Sequence, residues 1–327
     1  MGVILTIAVP SYNIEKYIHK CIESFNNIKT ELYSDFEVLI INDGSTDKTI
    51  DIVKKLSSET SLNLKIINKE NGGHGSAVNK GIEEAKGKYF KIIDGDDWVN
   101  KADFEEFLLR LKKTDVDLIV TDYTEQHVYD NYKKRIKVLE MPDGYRSDSL
   151  SKIFPMHSIT YRTSLLQEHN IRLTEKIFYV DTQYSIFPMK YVEKWEYWNL
   201  DVYQYFLGRP EQSMALINRL KHMEHHRIVM ESILEFYLTI KNKELKDTLR
   251  SICEDLINTR YLLSFVSKER SKLLKQTTEY IEKYNIDFKF KAKHRTSYLL
   301  YFNEKNKRLF SFIVYPIVKF KLRELKN

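Results

Sequence analysis

The chain has 327 residues, of which 43% are apolar, and a formal net charge of +6. This length and apolar content predict a folded, soluble protein with one large domain or two smaller ones. Two cysteines are too few for a disulfide framework and lack the paired spacing of a zinc or iron–sulfur site, so the expected compartment is a reducing cytoplasm. No apolar run approaches the roughly 20 residues that a membrane span needs.

Short strand-like runs alternate with helical patterns over the first 123 residues. The predicted strands cover residues 3–9, 36–41, 64–67, 89–93 and 117–121. Apolar residues recur at helical spacing from Ile14 to Phe25, which predicts a helix with one buried face and Asn13 as its N-cap. Another helix is predicted over residues 77–86, ending at Gly87. This alternation is typical of an α/β fold, a mostly parallel sheet with helices on both faces.

The pattern changes after residue 123. Residues 195–206 predict an aromatic-rich strand, and helical patterns dominate from about residue 219 onward. We therefore expect one domain over residues 1–215 and a helical, basic region over residues 216–327.

Polar loops follow the first four predicted strands. They are Pro-Ser-Tyr-Asn at 10–13, Asn-Asp-Gly-Ser-Thr-Asp at 42–47, Asn-Gly-Gly-His-Gly at 71–75 and Asp-Gly-Asp-Asp at 94–97. In open α/β sheets, ligands bind beyond the carboxyl ends of the strands. The sequence therefore predicts one ligand site along a single edge of the sheet.

The acidic turn at residues 94–97 gives the strongest chemical signal. An apolar strand delivers three carboxylates within four residues, and their charges repel one another unless they are compensated. Mg²⁺ or Mn²⁺ removes this repulsion by taking oxygen ligands from carboxylates, water and a diphosphate. The residues thus predict a site for a divalent metal ion; the alternative is an acidic surface turn.

In their order and spacing these motifs resemble the nucleotide-sugar domain of the family 2 glycosyltransferases, which have the GT-A fold. The resemblance covers residues 3–122. It implies an inverting enzyme that transfers a sugar from a UDP-sugar to a hydroxyl of a glycan, lipid-linked or protein-linked acceptor. The alternative is a non-catalytic, nucleotide-binding scaffold whose helical region binds partners.

The resemblance also assigns residue roles. Asp96 is the expected metal ligand with Asp94 beside it, and Asp97 supports the turn. Asp43 is expected to accept a hydrogen bond from the uracil imide, while Pro10 and Tyr12 flank the nucleoside. The other residues expected to bind the donor in the first half of the chain are Asn13, Asn71, Gly72, His74, Gly75, Asn79 and Gly95.

One position departs from the family pattern. Many members carry an arginine where this sequence has Val78. The polar contact of that arginine is therefore in question, and His74 or a later basic residue is the candidate to replace it.

The catalytic base is expected at Asp181, where the family carries an acidic residue that opens a helix over the acceptor site. A helix N-terminus favours the ionised carboxylate, which can then accept a proton. The alternative is an ordinary N-cap. Further downstream, Arg209, Gln212 and Ser213 form a loop that is expected to reach the donor diphosphate.

The C-terminal stretch is basic and amphipathic. Residues 289–327 carry 11 basic and 2 acidic side chains interleaved with apolar ones. This pattern predicts either peripheral binding to an anionic membrane surface or packing against the protein body or a second subunit of a homo-oligomer. No recognised module accompanies the charge, so no nucleic-acid partner is expected.

Overall fold

The structure, a computed structural model, describes residues 2–127, 131–208, 216–284 and 295–324. These residues belong to two compact units, Met1–Pro210 and Glu211–Asn327. Each unit has its own set of secondary-structure elements.

The first unit contains a mixed ten-stranded sheet. Its strands are β1 (Leu5–Ser11), β2 (Phe36–Asn42), β3 (Leu64–Asn68), β4 (Tyr89–Ile92), β5 (Trp98–Val99), β6 (Leu118–His127), β7 (Tyr132–Ile136), β8 (Tyr145–Ser147), β9 (Ile159–Arg162) and β10 (Trp195–Leu207). The order is β3-β2-β1-β4-β9-β6-β10-β5, with β7 paired to β6 and β8 to β10. The first four strands are mutually parallel, whereas β9 is antiparallel to both β4 and β6.

Helices flank this sheet, which confirms the predicted fold class. They are α1 (Ile18–Asn26), α2 (Thr49–Ser58), α3 (Gly73–Glu84), α4 (Lys101–Leu111), α5 (Thr163–Glu168) and α6 (Asp181–Ile186). Every residue of β1 and β2 is buried, as expected for parallel strands covered on both faces. The core beside them includes Phe25, Phe36 and Phe104, whose rings pack edge to face or tilted.

Two helix starts differ from the prediction. Helix α1 begins at Ile18, four residues beyond the predicted start, because Asn13 takes the left-handed backbone conformation (φ 51°) and belongs to a loop. Helix α3 begins at Gly73 and ends at Glu84, so His74 and Gly75 lie in a helical turn instead of a loop. The glycine-rich sequence lacks the apolar periodicity that would have revealed this first turn.

The second unit is helical over its described residues. It consists of α7 (Leu216–Lys221), α8 (Met223–Thr239), α9 (Lys243–Val266), α10 (Arg270–Lys283), α11 (Arg295–Lys305) and α12 (Ser311–Glu324). The longest, α9, begins where the Asn242 side chain accepts a hydrogen bond from the Leu245 N–H at 3.0 Å, and its buried face includes Leu249 and Ile257. Among the helices described in either unit, none combines the length and apolar character needed to cross a membrane.

Candidate active site

The loops after β1 and β2 are tied together at the carboxyl edge of the sheet. The Asn13 side-chain oxygen accepts from the Thr46 N–H at 2.8 Å, and the Asn13 N–H donates to the Ser45 hydroxyl at 3.2 Å. Asp47 accepts from the Thr49 N–H at 3.0 Å and so binds the start of α2. Asn13 therefore fixes the shape of the loop that presents Tyr12, whose side chain is 50% exposed.

Asp43 is buried against the start of α3. Its Oδ1 accepts from Lys69 Nζ at 2.7 Å and from the Gly72 N–H at 2.9 Å, and its Oδ2 accepts from the Gly73 N–H at 2.7 Å. The Asn71 amide donates to the Asp43 carbonyl at 2.8 Å. The carboxylate thus accepts hydrogen bonds from two backbone N–H groups at the N-terminus of α3 and so caps that helix.

The acidic turn is closed by a backbone hydrogen bond and stabilised by hydrogen bonds to the Asp97 side chain. The Asp97 N–H donates to the Asp94 carbonyl at 2.9 Å. The Asp97 carboxylate is buried and accepts from the Tyr203 hydroxyl at 2.5 Å and the Phe206 N–H at 2.7 Å. Burial, followed by the charge of Asp94, raises the pKa of Asp97 well above its ordinary value. A Cβ at Gly95 would collide with the Ile14 Cδ1 atom, so a larger residue there would have to move the Ile14 side chain.

His157 completes this cluster, although no sequence motif identified it. Ligand atoms of Asp94, Asp97 and His157 all lie within 4.8 Å of one another. The imidazole stacks on Tyr205 with 4.1 Å between ring centroids, and its buried Nδ1 has no hydrogen-bond partner among the described residues. Burial lowers the pKa of His157 to about 4, which keeps the ring neutral. Two carboxylates and a neutral imidazole are a donor set that fits a divalent metal ion.

Asp96, the expected direct ligand, lies in the same turn and is half-buried. It is not a member of the cluster formed with His157. The structure therefore adds Asp97 and His157 to the candidate ligands, and Asp97 also supports the turn through Tyr203.

His74 lies at the centre of the acidic side chains. Its Nε2 is 2.9 Å from Asp94 Oδ1. Burial opposes protonation of His74, but the charge and hydrogen bond of Asp94, together with the charges of Asp181 and Asp43, raise its pKa. A cation is therefore favoured at this point of the edge. Val78, the position of the missing arginine, is fully buried and faces the core.

Asp181 begins α6, as predicted, and remains accessible to solvent. Protein atoms nevertheless surround it closely enough that desolvation raises the pKa of its carboxyl, and the charge of Asp94 adds to this effect while His74 opposes it. The sequence predicted the opposite direction from the helix N-terminus. Helix α6 has only 6 residues, and the loss of solvation outweighs its dipole.

The segment before Asp181 is fastened to α3. The Asn79 side chain donates to the Leu173 carbonyl at 2.9 Å and accepts from the Leu173 N–H at 2.8 Å. A side chain at Gly75 would collide with the Thr174 carbonyl. The Asn79 amide thus holds this loop, and Gly75 allows the loop to approach α3; donor contacts of these two residues stay predictions.

The remaining predicted residues divide into two groups. Pro10 is buried at the end of β1, and Asn71 and Gly72 lie beside Asp43. Arg209, Gln212 and Ser213 lie outside the described residues. Donor binding by each of these residues stays a prediction.

A family comparison decides how this edge is to be interpreted. The model of the family described as "Glycosyl transferase family 2" matches residues 6–194, more than half of the chain. The chain belongs to this family. The matched range includes the polar edge loops and Asp181, so this family 2 glycosyltransferase carries them in the segment that defines the family.

Curated relatives agree with this assignment. The chain is 31% identical over 193 residues to the teichoic acid poly(glycerol phosphate) polymerase of Staphylococcus epidermidis, a match that covers 58% of this chain and 26% of that protein. It is 29% identical over 199 residues to the putative glycosyltransferase EpsH of Bacillus subtilis, covering 56% of this chain and 54% of that protein. The chain thus matches about a quarter and about half of the lengths of these relatives.

Solved structures share the fold. TarS 1–349 of S. aureus, crystallised with UDP-GlcNAc, superposes with a TM-score of 0.69 at 19% identity, covering 98% of this chain and 92% of that one. The mannosyltransferase PcManGT of Pyrobaculum calidifontis, in complex with GDP-Man and Mn²⁺, has a TM-score of 0.56 at 14% identity, covering 94% and 87%. The family 2 glycosyltransferase described here therefore has the GT-A fold with a helical C-terminal region.

Proposed function

We propose that this family 2 glycosyltransferase transfers a sugar from a UDP-sugar to an acceptor hydroxyl with inversion at the anomeric carbon and with the help of a divalent metal ion. One observation carries the proposal: His74 is bonded to Asp94 of the acidic turn and is also charge-coupled to Asp181 and Asp43. The proposed metal, base and nucleoside residues thus surround a single side chain at one sheet edge.

The donor would lie along this edge from Tyr12 to the acidic turn. Asp43 would accept from the uracil imide, and the Tyr12 ring offers an exposed apolar face to the base. His74, in its cationic form, would contact the diphosphate and so replace the arginine that Val78 displaces. The UDP-GlcNAc complex of TarS, a protein of the same fold, supports a uridine nucleotide as the donor carrier.

The metal ion would be Mn²⁺ or Mg²⁺, held by Asp94 and Asp96 with Asp97 and His157 as the further donors that the cluster offers. When bound, it supplies positive charge that offsets the negative charge growing on the leaving diphosphate. The Mn²⁺ complex of PcManGT supports a divalent ion in this fold.

Asp181 would act as the general base. Its carboxylate accepts the proton of the acceptor hydroxyl while that oxygen forms a bond to the anomeric carbon. The bond from this carbon to the diphosphate oxygen breaks on the opposite face, which releases UDP and inverts the centre. The raised pKa of Asp181 suits this role, because a base whose pKa lies nearer neutrality accepts a proton more readily.

A donor screen tests the proposal. The purified protein is incubated with a panel of UDP-sugars and candidate glycan, lipid-linked and glycoprotein acceptors, with Mn²⁺, Mg²⁺ or EDTA. We expect metal-dependent UDP release with one donor and a product whose anomeric configuration, measured by NMR, is opposite to that of the donor. If the protein bound UDP but transferred no sugar from any donor, it would be a scaffold and the proposed enzymatic function would be refuted.

We further propose that helix α12 lies on the anionic, cytoplasmic face of a membrane and brings the enzyme to its acceptor. Phe312, Ile313, Ile317 and Phe320 are 75%, 50%, 43% and 61% exposed, and their spacing puts them on one helical face. Exposed lysines on the same helix would contact anionic headgroups.

Flotation with vesicles tests this placement. We expect the protein to float with phosphatidylglycerol vesicles and less with phosphatidylcholine vesicles. The variant Phe312→Ser/Phe320→Ser should remain at the bottom of the gradient, whereas Leu238→Ser, which changes an exposed leucine of α8, should float normally. A dimer or larger oligomer of the wild-type protein that is lost in the double variant would instead assign the face to a second subunit.

A further inference from the structure

A second cavity in the first unit shares no lining residue with the proposed donor, metal or base site. Its volume is about 570 Å³, and its walls come from α1, β5, the start of α4, β7 and the last part of β6 and β10. This volume is in the range of small-molecule binding sites.

The walls of this cavity are positively charged. Lys20, Lys101 and Lys133 line it, and within the described parts of the chain the lining includes no carboxylate and none of the three lysines forms an ion pair. The fourth titratable group, His127, lies 3.4 Å from the Glu125 carboxylate, which is therefore already engaged. Like charges gathered without a counter-charge repel each other, and a bound anion relieves that repulsion.

One of these lysines is held in place. Lys20 Nζ lies over the Trp98 ring, 3.1 Å from its centroid. Burial and then the charge of Lys133 lower the pKa of Lys20, in keeping with a cation that faces another cation across a partly closed space. Lys101 adds its charge at the first turn of α4, where a cation is unfavourable for the helix itself.

The other walls suit a hydroxylated ligand. Gln126 Nε2 donates to Gln204 Oε1 at 2.7 Å, which leaves the Gln126 side-chain oxygen as an acceptor, whereas the Gln204 amide nitrogen already donates to the Asp201 and Tyr203 carbonyls. The Tyr132 side chain is 54% exposed at the cavity. Amides and aromatic rings are the groups with which proteins bind the hydroxyls and faces of polyols and sugars. A lone phosphate would leave most of the cavity empty.

Two residues that line the cavity are sequence neighbours of Asp97 and of its partner Tyr203. Trp98 directly follows Asp97, and Gln204 directly follows Tyr203, whose hydroxyl binds Asp97. Residues of the cavity wall are thus next in the chain to Asp97 and to the tyrosine that binds it.

We propose that this cavity binds a phosphate group carried on a polyol or sugar, as part of a phosphate-bearing acceptor. The inference rests on the proposed function only in assigning the ligand to the acceptor; the binding itself does not depend on it.

The test uses the full chain saturated with UDP and Mg²⁺, so that the donor site is occupied. Calorimetric titrations use glycerol 3-phosphate, a glycerophosphodiester, inorganic phosphate and glycerol. We expect the two phosphorylated polyols to bind, inorganic phosphate to bind more weakly and glycerol not to bind. The variant Lys101→Gln/Lys133→Gln should weaken binding of the polyol phosphates about tenfold, because both side chains are exposed at the cavity and their loss does not disturb the core.

A matched variant, Lys54→Gln/Lys55→Gln, removes the same charge from exposed positions of α2 and should bind like the wild type. Equal weakening in both variants would show non-specific attraction and overturn the proposal. If glycerol 3-phosphate bound only when UDP was left out, its site would be the donor site and the proposal would be overturned. Equal affinity for inorganic phosphate and for the polyol phosphates would show that the polyol is not recognised. UDP release from the donor, measured separately on the same variants, tests the glycosyltransferase function independently.

Discussion

A buried aspartate lies at each end of the candidate donor site, and the two differ in their hydrogen-bond partners and neighbouring charges. Asp43 accepts three hydrogen bonds, one from a lysine and two from backbone N–H groups at the start of a helix. Asp97 accepts two, both from neutral donors, and burial followed by the charge of Asp94 raises its pKa. The protein itself balances the charge at the nucleoside end, whereas the acidic turn has an excess of negative charge that a divalent ion would balance.

Removal of a carboxylate from the acidic turn should have the largest effect. We expect Asp96→Ala to lower kcat at least about 1,000-fold, since charge on the leaving diphosphate would lose its stabilisation. The measurement is UDP release over a Mn²⁺ titration, with Asp51→Ala on exposed α2 as the control. If Asp96→Ala kept wild-type activity while His157→Gln lost it, the ligand set would be that of the His157 cluster.

The second-largest effect on kcat is expected from substitution of the proposed catalytic base. Asp181→Asn should lower kcat by about 100-fold or more, because no group would accept the acceptor proton, while UDP affinity stays within about twofold of the wild type. Single-turnover kinetics and calorimetry measure the two quantities. Glu193→Gln, at an exposed position, serves as the control. An equal loss in UDP affinity would indicate that Asp181 shapes the site instead of acting in the reaction.

At the nucleoside end the effect should be smaller and confined to binding. Asp43→Asn should weaken UDP binding about tenfold, since the amide would present N–H groups or a weaker acceptor to the imide. Lys69→Gln removes the ion pair but leaves the carboxylate. It therefore distinguishes a contact of Asp43 with the uracil from a role of Asp43 in holding the loop before α3. Equal weakening in both variants would attribute the effect of Asp43 to the loop alone.

Glu37, outside the candidate donor site, is a third buried carboxylate, and a lysine compensates its charge. It is buried and accepts from Thr6 and Lys65, each at 2.8 Å. Burial raises its pKa, but these hydrogen bonds and that of the Lys86 N–H outweigh burial and lower it. We expect Glu37→Gln to cost about 1–2 kcal/mol of unfolding free energy at neutral pH.

The pH dependence gives this last prediction its sign. Because the pKa of Glu37 is lower in the folded state, its stabilisation is present above the ordinary value of 4.5 and is lost as pH falls through the folded value. Urea unfolding of wild type and variant should therefore converge in acid. A difference that grew as pH fell would contradict the assignment.

Much of the sheet and part of the site were predictable from local signals. The strand around residues 36–42, the strand of residues 195–207 and the opening of a helix at Asp181 lie close to their predicted places, because apolar runs and polar breaks mark them. His157 was not predictable. It lies in the short 3-10 helix Met156–Ser158, far from Asp94 in the chain, and the pairing of the following strand β9 with β4 brings this helix near Asp94.

Asn79 and the start of α3 show the same limit. The sequence marks Asn79 as polar within a motif. It does not reveal that the backbone of Leu173, 94 positions away, forms hydrogen bonds with both groups of the Asn79 amide.

By itself, the sequence determined the element types, the order of the polar loops and the presence of an acidic turn after a buried strand, since these depend on periodicity and local chemistry. Only the tertiary structure decided which side chains meet, which carboxylates are compensated and in which direction their pKa values move. Those properties depend on distance and solvation between residues far apart in the chain, and no local pattern encodes them.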